Sequence, residues 1–377
     1  MFELTVPVNE LAAHLKWVSD HCPTRPAVPV LAGIRLSVTE GRLALDATDH
    51  KTWASARVEA DTSGEGIAVL PGRLLSTLVA KLPADRELRL EIEEATARLR
   101  CGPVNARLHT LAADEYPAPP EVPNTVGRCE ASDLAPATAR VAATAGTDDA
   151  IPHLIGMQLV FGDDGLSLAS TDRYQASHAT VPWTPTISAP EAGPKDSIVA
   201  AATLARAARG LIGDVDLAAG DDLIGLITHA RTLMMRCLDY EFPKVEAFLD
   251  SARSRHTATV IVETTVLTAA VERARLFSPA SVPITLHVAG NEATVRGGQE
   301  GEETAETLPV EVEGELDEDG VTLGMNAGYL LGALSGTRSE QARLALATET
   351  KPVIATGTDS DDRNWNVLMP LRLSGRR

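Results

Sequence analysis

Asp49 and Asp172 each close a Thr-Asp pair behind an alternating apolar stretch, and a repeated carboxylate is the first place to look for general acid–base chemistry. Two such groups would have to converge on one substrate. These stand at the same point of an internal repeat, 123 residues apart, so each belongs to its own corner and reads as a turn-stabilising side chain. Other chemistries find no footing either. The chain has no G-x-x-x-x-G-K-[ST], no G-x-G-x-x-G after a strand, no H-E-x-x-H and no G-x-S-x-G. Its nine histidines are scattered. Cys22, Cys101, Cys129 and Cys237 form no C-x-x-C pair and have no histidine at ligand spacing, which reads as reduced, mostly buried thiols. No enzyme, metal or cofactor is expected. Charge remains: 34 basic against 52 acidic residues give −18, which disfavours a polyanion partner unless the cations gather on one face. Aromatics, at 3%, are too few for a single-strand stacking platform.

The elements that carry these residues follow a strand-rich pattern. At 377 residues, 44% apolar and 23% charged, the chain is long enough for two or three domains with separate cores. No apolar run reaches membrane-spanning length, and MFELTVPVNEL lacks a basic leader, so the expected location is cytoplasmic. Val8, Leu11, Leu15 and Val18 recur at helical spacing up to about His21, and Cys22 to Pro26 opens a loop. Alternation on both sides of Glu40-Gly41 predicts a hairpin over Val30 to Val58. A helix follows Pro71-Gly72, with Leu74, Leu75, Leu78 and Leu82 as its buried stripe, then two alternating segments over Leu88 to Leu111. Pro117 to Pro123 reads as a linker.

The series then restarts. Ser132-Asp133 caps a helix with Leu134, Thr138, Val141 and Ala145 inward. Leu154, Gly156, Leu159, Leu166, Leu168, Thr171 and Asp172 repeat Leu31, Gly33, Leu36, Leu43, Leu45, Thr48 and Asp49 at one fixed offset. A second helix spans Thr203 to Ile212, and Glu241-Phe242-Pro243 closes the unit. A third, diverged pass has a helix with Val266, Leu267, Ala270, Val271 and Ala274, a hairpin at Ala289-Gly290-Asn291, a helix after Asn326 and a last strand from Asn366 to Leu373. Such units are α+β, with helices covering one face of the sheets. An arc of three, ending in open edges, would close by self-association.

Over its full length this pattern resembles the bacterial DNA polymerase III beta subunits. The Arg25-Pro26 loop, the Thr-Asp corners, Tyr116-Pro117, Phe242-Pro243 and the terminal Met369-Pro370-Leu371-Arg372-Leu373 carry the likeness. It implies three tandem clamp domains, 1–122, 123–249 and 250–377, with helices lining the inside and sheets the outside of a ring-forming arc. It further implies a head-to-tail homodimer around duplex DNA, held without sequence specificity, and a non-catalytic role. The polymerase III alpha subunit, the clamp loader and other proteins with clamp-binding peptides are the implied partners; no membrane is. A sliding tether needs diffuse phosphate attraction without base readout. Candidates on the predicted helices are Lys16, Arg73, Lys81, Arg140, Arg206, Arg209, Arg273 and Arg275, with Arg25 from the loop. Ala200, Ala201 and Ala202 stand where relatives often carry a base, which weakens that stretch. For ring closure, Glu300, Glu302, Glu303 and Glu306 would meet Arg73, Arg100 and Arg107 of a second copy.

By position, the family's peptide pocket would use Leu154, Thr171, Arg173, Tyr174, Gln175, Ala176, Pro243, Ala247, Phe248, Pro352, Val367, Met369, Pro370, Leu371 and Arg372. This chain departs from its relatives there. Arg-Leu is common where Gln175-Ala176 stands, and Arg where Ala247 stands. Ala for Leu removes about 2 kcal/mol of apolar contact with a covering ligand, roughly 30-fold in affinity. A second-copy clamp, with a pocket remodelled to exclude a peptide antibiotic, is therefore the alternative to an ordinary replicative clamp. The Ser374 to Arg377 extension follows the terminal signature.

Overall fold

The computed structural model describes residues 1–93, 95–148, 150–186, 196–279, 282–299, 301–359 and 363–373. Among them are seven α-helices: α1 (Val8–Ser19), α2 (Gly72–Val79), α3 (Ala131–Ala142), α4 (Ala201–Ala208), α5 (Val245–Arg253), α6 (Thr264–Phe277) and α7 (Ala327–Thr337). None of the described helices is long and apolar enough to cross a membrane. The chain divides into two compact units, one of residues 1–132, 183–194 and 207–237, the other of 133–182, 195–206 and 238–377.

The first unit has two sheets. A five-stranded sheet runs from Asp61–Ser63 through Phe2–Pro7 to Val104–His109 at its far edge. A nine-stranded sheet has Trp183–Pro185 at one edge and Gly66–Pro71 at the other. Inside it, Arg231–Arg236 pairs antiparallel with Thr52–Glu59, in the register Leu233↔Ala54, so one ladder joins strands of the first and second sequence repeats. Helix α1 buries Val8, Leu11, Leu15 and Val18, as its spacing predicts, and Trp17 besides, and packs on α2 and on Thr52–Glu59. In α2 the expected stripe holds in part. Leu75 is buried and Leu78 half-buried, joined by Gly72, Ser76 and Val79, whereas Leu74 is 55% exposed and Leu82 lies half-buried beyond the helix. The segment from Leu88 to Leu111 forms three strands rather than two, and no regular element lies between 117 and 124. Tyr116, just before that linker, is buried with Val30, Leu31 and Val69 and donates to the Asp46 carbonyl at 3.1 Å. Burial raises its phenol pKa and pushes the Cys22 thiol up to about 12, the state of an unreactive buried thiol.

A clasp of mixed polarity closes this unit against the C-terminal half of α1. The Trp17 indole donates to the Ala207 carbonyl at 3.2 Å. The Arg231 guanidinium lies 5.3 Å from the Trp17 ring centroid and donates to the carbonyls of Ala13, at 3.1 Å, and Gly210. Its Nε faces His14 Nδ1 at 3.5 Å. Burial lowers the Arg231 pKa, and burial together with the Arg231 charge lowers that of His14.

The second unit also has two sheets. Its nine-stranded sheet runs from Asp196–Ala200 to Glu311–Gly314, and Gln175–Val181 pairs with Trp365–Leu368 in the register Ala176↔Val367. The four-stranded sheet ends at Glu302–Pro309 on one side. Alternation sorts the strand Val353–Gly357: Val353 and Ala355 join the core with α6 and α7, while Ile354 joins a smaller cluster with Val245, Leu249 and Ala252 of α5. Helices α5 and α7 therefore cover opposite faces of this sheet. Helix α5 is absent from the sequence expectation, which took Pro243 as the end of a unit. Other boundaries also shift. Helix α3 starts at Ala131, so Ser132 and Asp133 lie in its first turn, and it ends before Ala145. Helix α4 stops at Ala208, and Ile212 is 84% exposed beyond it. The last strand is Trp365–Leu368, after which Leu371 only bridges to Gly324.

Candidate peptide cavity and open strand edges

The two aspartate corners are built alike. Asp49 Oδ1 accepts from the backbone N–H groups of Lys51 and Thr52 at 3.0 and 2.7 Å; Asp172 Oδ1 accepts from Tyr174 and Gln175, both at 2.9 Å. The Thr48 and Thr171 hydroxyls accept from His50 and Arg173. His50 and Arg173 have φ of 69° and 78°, a conformation that non-glycine residues adopt only when local bonds hold it. Each carboxylate is thus structural at its own corner. Gly33 and Gly156 are matched in the same way. A Cβ at either would lie 2.4–2.5 Å from a side chain of the neighbouring strand, Val69 or Ile198.

Beside the second corner lies a cavity of about 370 Å³. Its floor is apolar, with Ile151, Leu154 and the chain leaving α3 at Ala143 to Gly146. Asp172, Tyr174 and Gln175 form one wall, and Tyr329 of α7 another. Gln175 is 5% exposed; its Nε2 donates to Asp172 Oδ2 at 3.0 Å. Burial, the Asp172 charge and a hydrogen bond to it push the Tyr329 phenol up to about 12. Tyr174 is 57% exposed, and its carbonyl accepts from Met369 N–H at 2.8 Å.

Only part of the predicted peptide set meets here. Leu154, Tyr174 and Gln175 line this cavity, whereas Pro243 and Ala247 line a separate one of about 560 Å³ beside α5, with Gln158, Ala169 and His178. Ala176 and Val367 are fully buried in the cluster under α5, against which Phe242 and Phe248 pack. The space a leucine would occupy at 176 is thus in a region already furnished with aromatic rings. Thr171 is buried in the corner; Pro352, Met369, Pro370 and Leu371 are half-buried, and Arg173 and Arg372 exposed.

The predicted cations divide too. Arg25, Lys81, Arg206, Arg209 and Arg275 are exposed, with Lys81 and Arg209 just beyond the ends of α2 and α4. Lys16 pairs with Asp20 at 2.6 Å, and Arg73 donates to the Thr24 hydroxyl at 2.7 Å. Arg140 is turned inward and donates to Asn364 Oδ1 at 2.7 Å and the Gly336 carbonyl at 3.1 Å. Arg273, expected on DNA, and Glu306, expected on a second copy, pair with each other within this chain at 2.7 and 2.8 Å, which lowers the Glu306 pKa. Arg100 stands 3.5 Å from Glu91. Arg107 lies exposed on the edge strand Val104–His109, while Glu302 and Glu303 lie exposed on the edge strand Glu302–Pro309. Glu300 and the Ser374 to Arg377 extension fall outside the described residues. Close to the acidic edge, Leu276 and Phe277 are 83% and 45% exposed.

Models of the DNA polymerase III beta subunit match three consecutive segments: the N-terminal domain over residues 2–120, the central domain over 129–244 and the C-terminal domain over 254–372. The beta sliding clamp of Streptomyces coelicolor is 32% identical over 388 aligned positions, covering 99% of this chain and all of that one. The chain belongs to the DNA polymerase III beta subunit family, the sliding clamps. Members are non-catalytic processivity factors, and the fold is α+β with three clamp domains. The beta sliding clamp homolog GriR of Streptomyces muensis is 26% identical over 374 positions, covering 96% of this chain and 97% of its own. The fold is shared with the beta subunit of Pseudomonas aeruginosa, at a TM-score of 0.87 and 24% identity, covering 98% of this chain and all of that one. It is shared as well with a Pseudomonas aeruginosa clamp bound to griselimycin, at 0.88 and 24%, covering 99% and 100%.

Within the clamp framework, sequence reasoning missed Asp172 and Tyr329 as cavity walls and Leu276 and Phe277 beside an open edge. Leu276-Phe277 did carry a signal, two large apolar residues following Arg275 at the end of the helix stripe. Tyr329 carried none, since only the tertiary fold brings α7 to the corner at 172.

Proposed function

We propose that this clamp closes as a head-to-tail homodimer around duplex DNA and tethers the polymerase III alpha subunit, the clamp loader and other peptide-bearing proteins, without reading sequence. The observation that carries this reading is the pair of open strand edges. Val104–His109 and Glu302–Pro309 each end a sheet, paired on one side only among the described residues, and they bear opposite charge at Arg107 and at Glu302 and Glu303. An exposed edge is a template for another strand. A heterologous contact between two different edges closes a ring when the rotation permits. Leu276 and Phe277 supply apolar surface beside the acidic edge, where exposed ion pairs alone contribute only about 0–1 kcal/mol each. Exposed Arg25, Arg206, Arg209 and Arg275 provide the diffuse attraction that sliding needs.

The test is solution mass together with retention on DNA. The wild-type chain is expected at twice 39.8 kDa and, after loading, to stay on circular DNA and slip off when it is linearised. Changing Leu276 and Phe277 together to Asp should yield the 39.8 kDa monomer and abolish retention. A monomeric wild type at micromolar concentration overturns the reading.

A second reading is a clamp whose peptide site is remodelled to exclude a peptide antibiotic. It is favoured by Gln175, by Ala176 buried in an aromatic-lined cluster, and by likeness to the homolog GriR. Binding of griselimycin as tight as to an ordinary clamp would remove it.

A further inference from the structure

We propose that the cavity beside Tyr174 and Tyr329 takes a lysine or arginine side chain of a bound partner peptide, an inference that rests on reading this cavity as the peptide site. Among the described residues, the charged ones lining it are Asp148 and Asp172, with no Lys, Arg or His. Arg173, next in the chain, is exposed and lies outside the lining.

The Asp172 carboxylate is well bonded but not neutralised. Its donors are the N–H groups of Tyr174 and Gln175, the Gln175 amide and the Tyr329 hydroxyl, all uncharged. No cationic group is among these donors, so the carboxylate faces the cavity without a countercharge from them. Asp148 sits exposed at the rim with one oxygen accepting from Ala150 N–H at 2.9 Å, which leaves the other for a ligand donor.

Shape and polarity then converge on one class of side chain. The aliphatic stem of Lys or Arg covers an apolar floor while its head reaches water and carboxylates, and Ile151 and Leu154 provide such a floor. Phenol rings add attraction for a cation, and two line the cavity. A volume of about 370 Å³ accommodates one long side chain with part of its neighbour. An acidic residue placed here would face two carboxylates, with no Lys, Arg or His among the described lining residues to answer them.

The experiment pans a random dodecapeptide phage library on the intact chain. Enriched sequences are synthesised and measured by fluorescence polarisation against wild type, Asp148→Asn and Tyr174→Ala. Peptides sharing a Lys or Arg at one position are expected. Changing that residue to Gln should weaken binding roughly five- to tenfold on wild type and by a factor two- to threefold smaller on Asp148→Asn, which keeps Asp172 and whose side-chain oxygen still caps Ala150. Enriched peptides that depend on Tyr174 but share no base, or whose base-to-Gln loss is equal on both proteins, overturn this inference and leave the site reading standing. Peptides indifferent to Tyr174→Ala, or no enrichment at all, overturn the site reading and the inference with it.

Discussion

Replacing Arg231 by Met should open the first unit locally at α1 while leaving the second unit untouched. Methionine keeps most of the stem and its contact with Trp17, so the change isolates the guanidinium. Two bonds from a charged donor to buried carbonyls, at Ala13 and Gly210, contribute about 1.5 kcal/mol each. The stacking of the cation over Trp17 adds about 0.5–1 kcal/mol. Relief from burying the charge offsets about 1 kcal/mol of this. The net loss is about 2.5–3 kcal/mol, or roughly 70- to 160-fold in the local opening equilibrium. Hydrogen-exchange mass spectrometry on peptides covering 11–21 and 207–213 reads that factor directly. The same variant has a pH signature. His14 is held below its usual value by burial first and Arg231 second, so its unfolded form binds the proton more readily. Its contribution to stability is full above about pH 6.5 and declines as pH falls through that value. In Arg231→Met part of the downshift disappears, and the acid-side loss becomes shallower. Exchange faster by less than threefold at pH 7, or an unchanged acid limb, refutes this account of the clasp.

Two further outcomes follow from the geometry. Asp172→Asn should bring the Tyr329 phenol down from about 12 toward 10 without reaching it, because burial, the larger cause, remains; ultraviolet difference titration reads the change. Gly297→Ala should destabilise the second unit by at least about 2 kcal/mol, since the new methyl would stand 2.0 Å from the Ala274 carbonyl oxygen of α6, and a backbone atom cannot turn aside. Gly332→Ala is its control: the added methyl meets nothing within 4 Å on the exposed face of α7, so thermal unfolding should shift upward by the equivalent of about 0.5–1 kcal/mol.

What could be read from the sequence was what it states twice. The hairpins at 33–48 and 156–171 and their Thr-Asp corners appear in both repeats, and the corner bonds match atom for atom. Helices α1 and α6 were legible because one apolar stripe fits each. Helix α5 had its signal, with Val245, Phe248, Leu249 and Ala252 at i, i+3, i+4 and i+7, but Pro243 was given more weight than the period. The cavity was only partly legible, since it assembles 143–154, 172–175 and residue 329, and no local pattern announces an encounter between such distant segments. Charge pairing was illegible for the same reason. Arg273 and Glu306 lie 33 positions apart and meet only because α6 lies on the four-stranded sheet.

The ladder between Thr52–Glu59 and Arg231–Arg236 makes the peptide bonds of 117–123 a convenience of synthesis more than a source of cohesion. A protease nick there would leave the two fragments laced together by main-chain bonds and a common sheet. The same lacing means that residues 1–122 expressed alone would lack the strand that covers Thr52–Glu59, and the bared backbone would invite aggregation. Fragments 1–122 and 123–377, by contrast, should find each other when mixed.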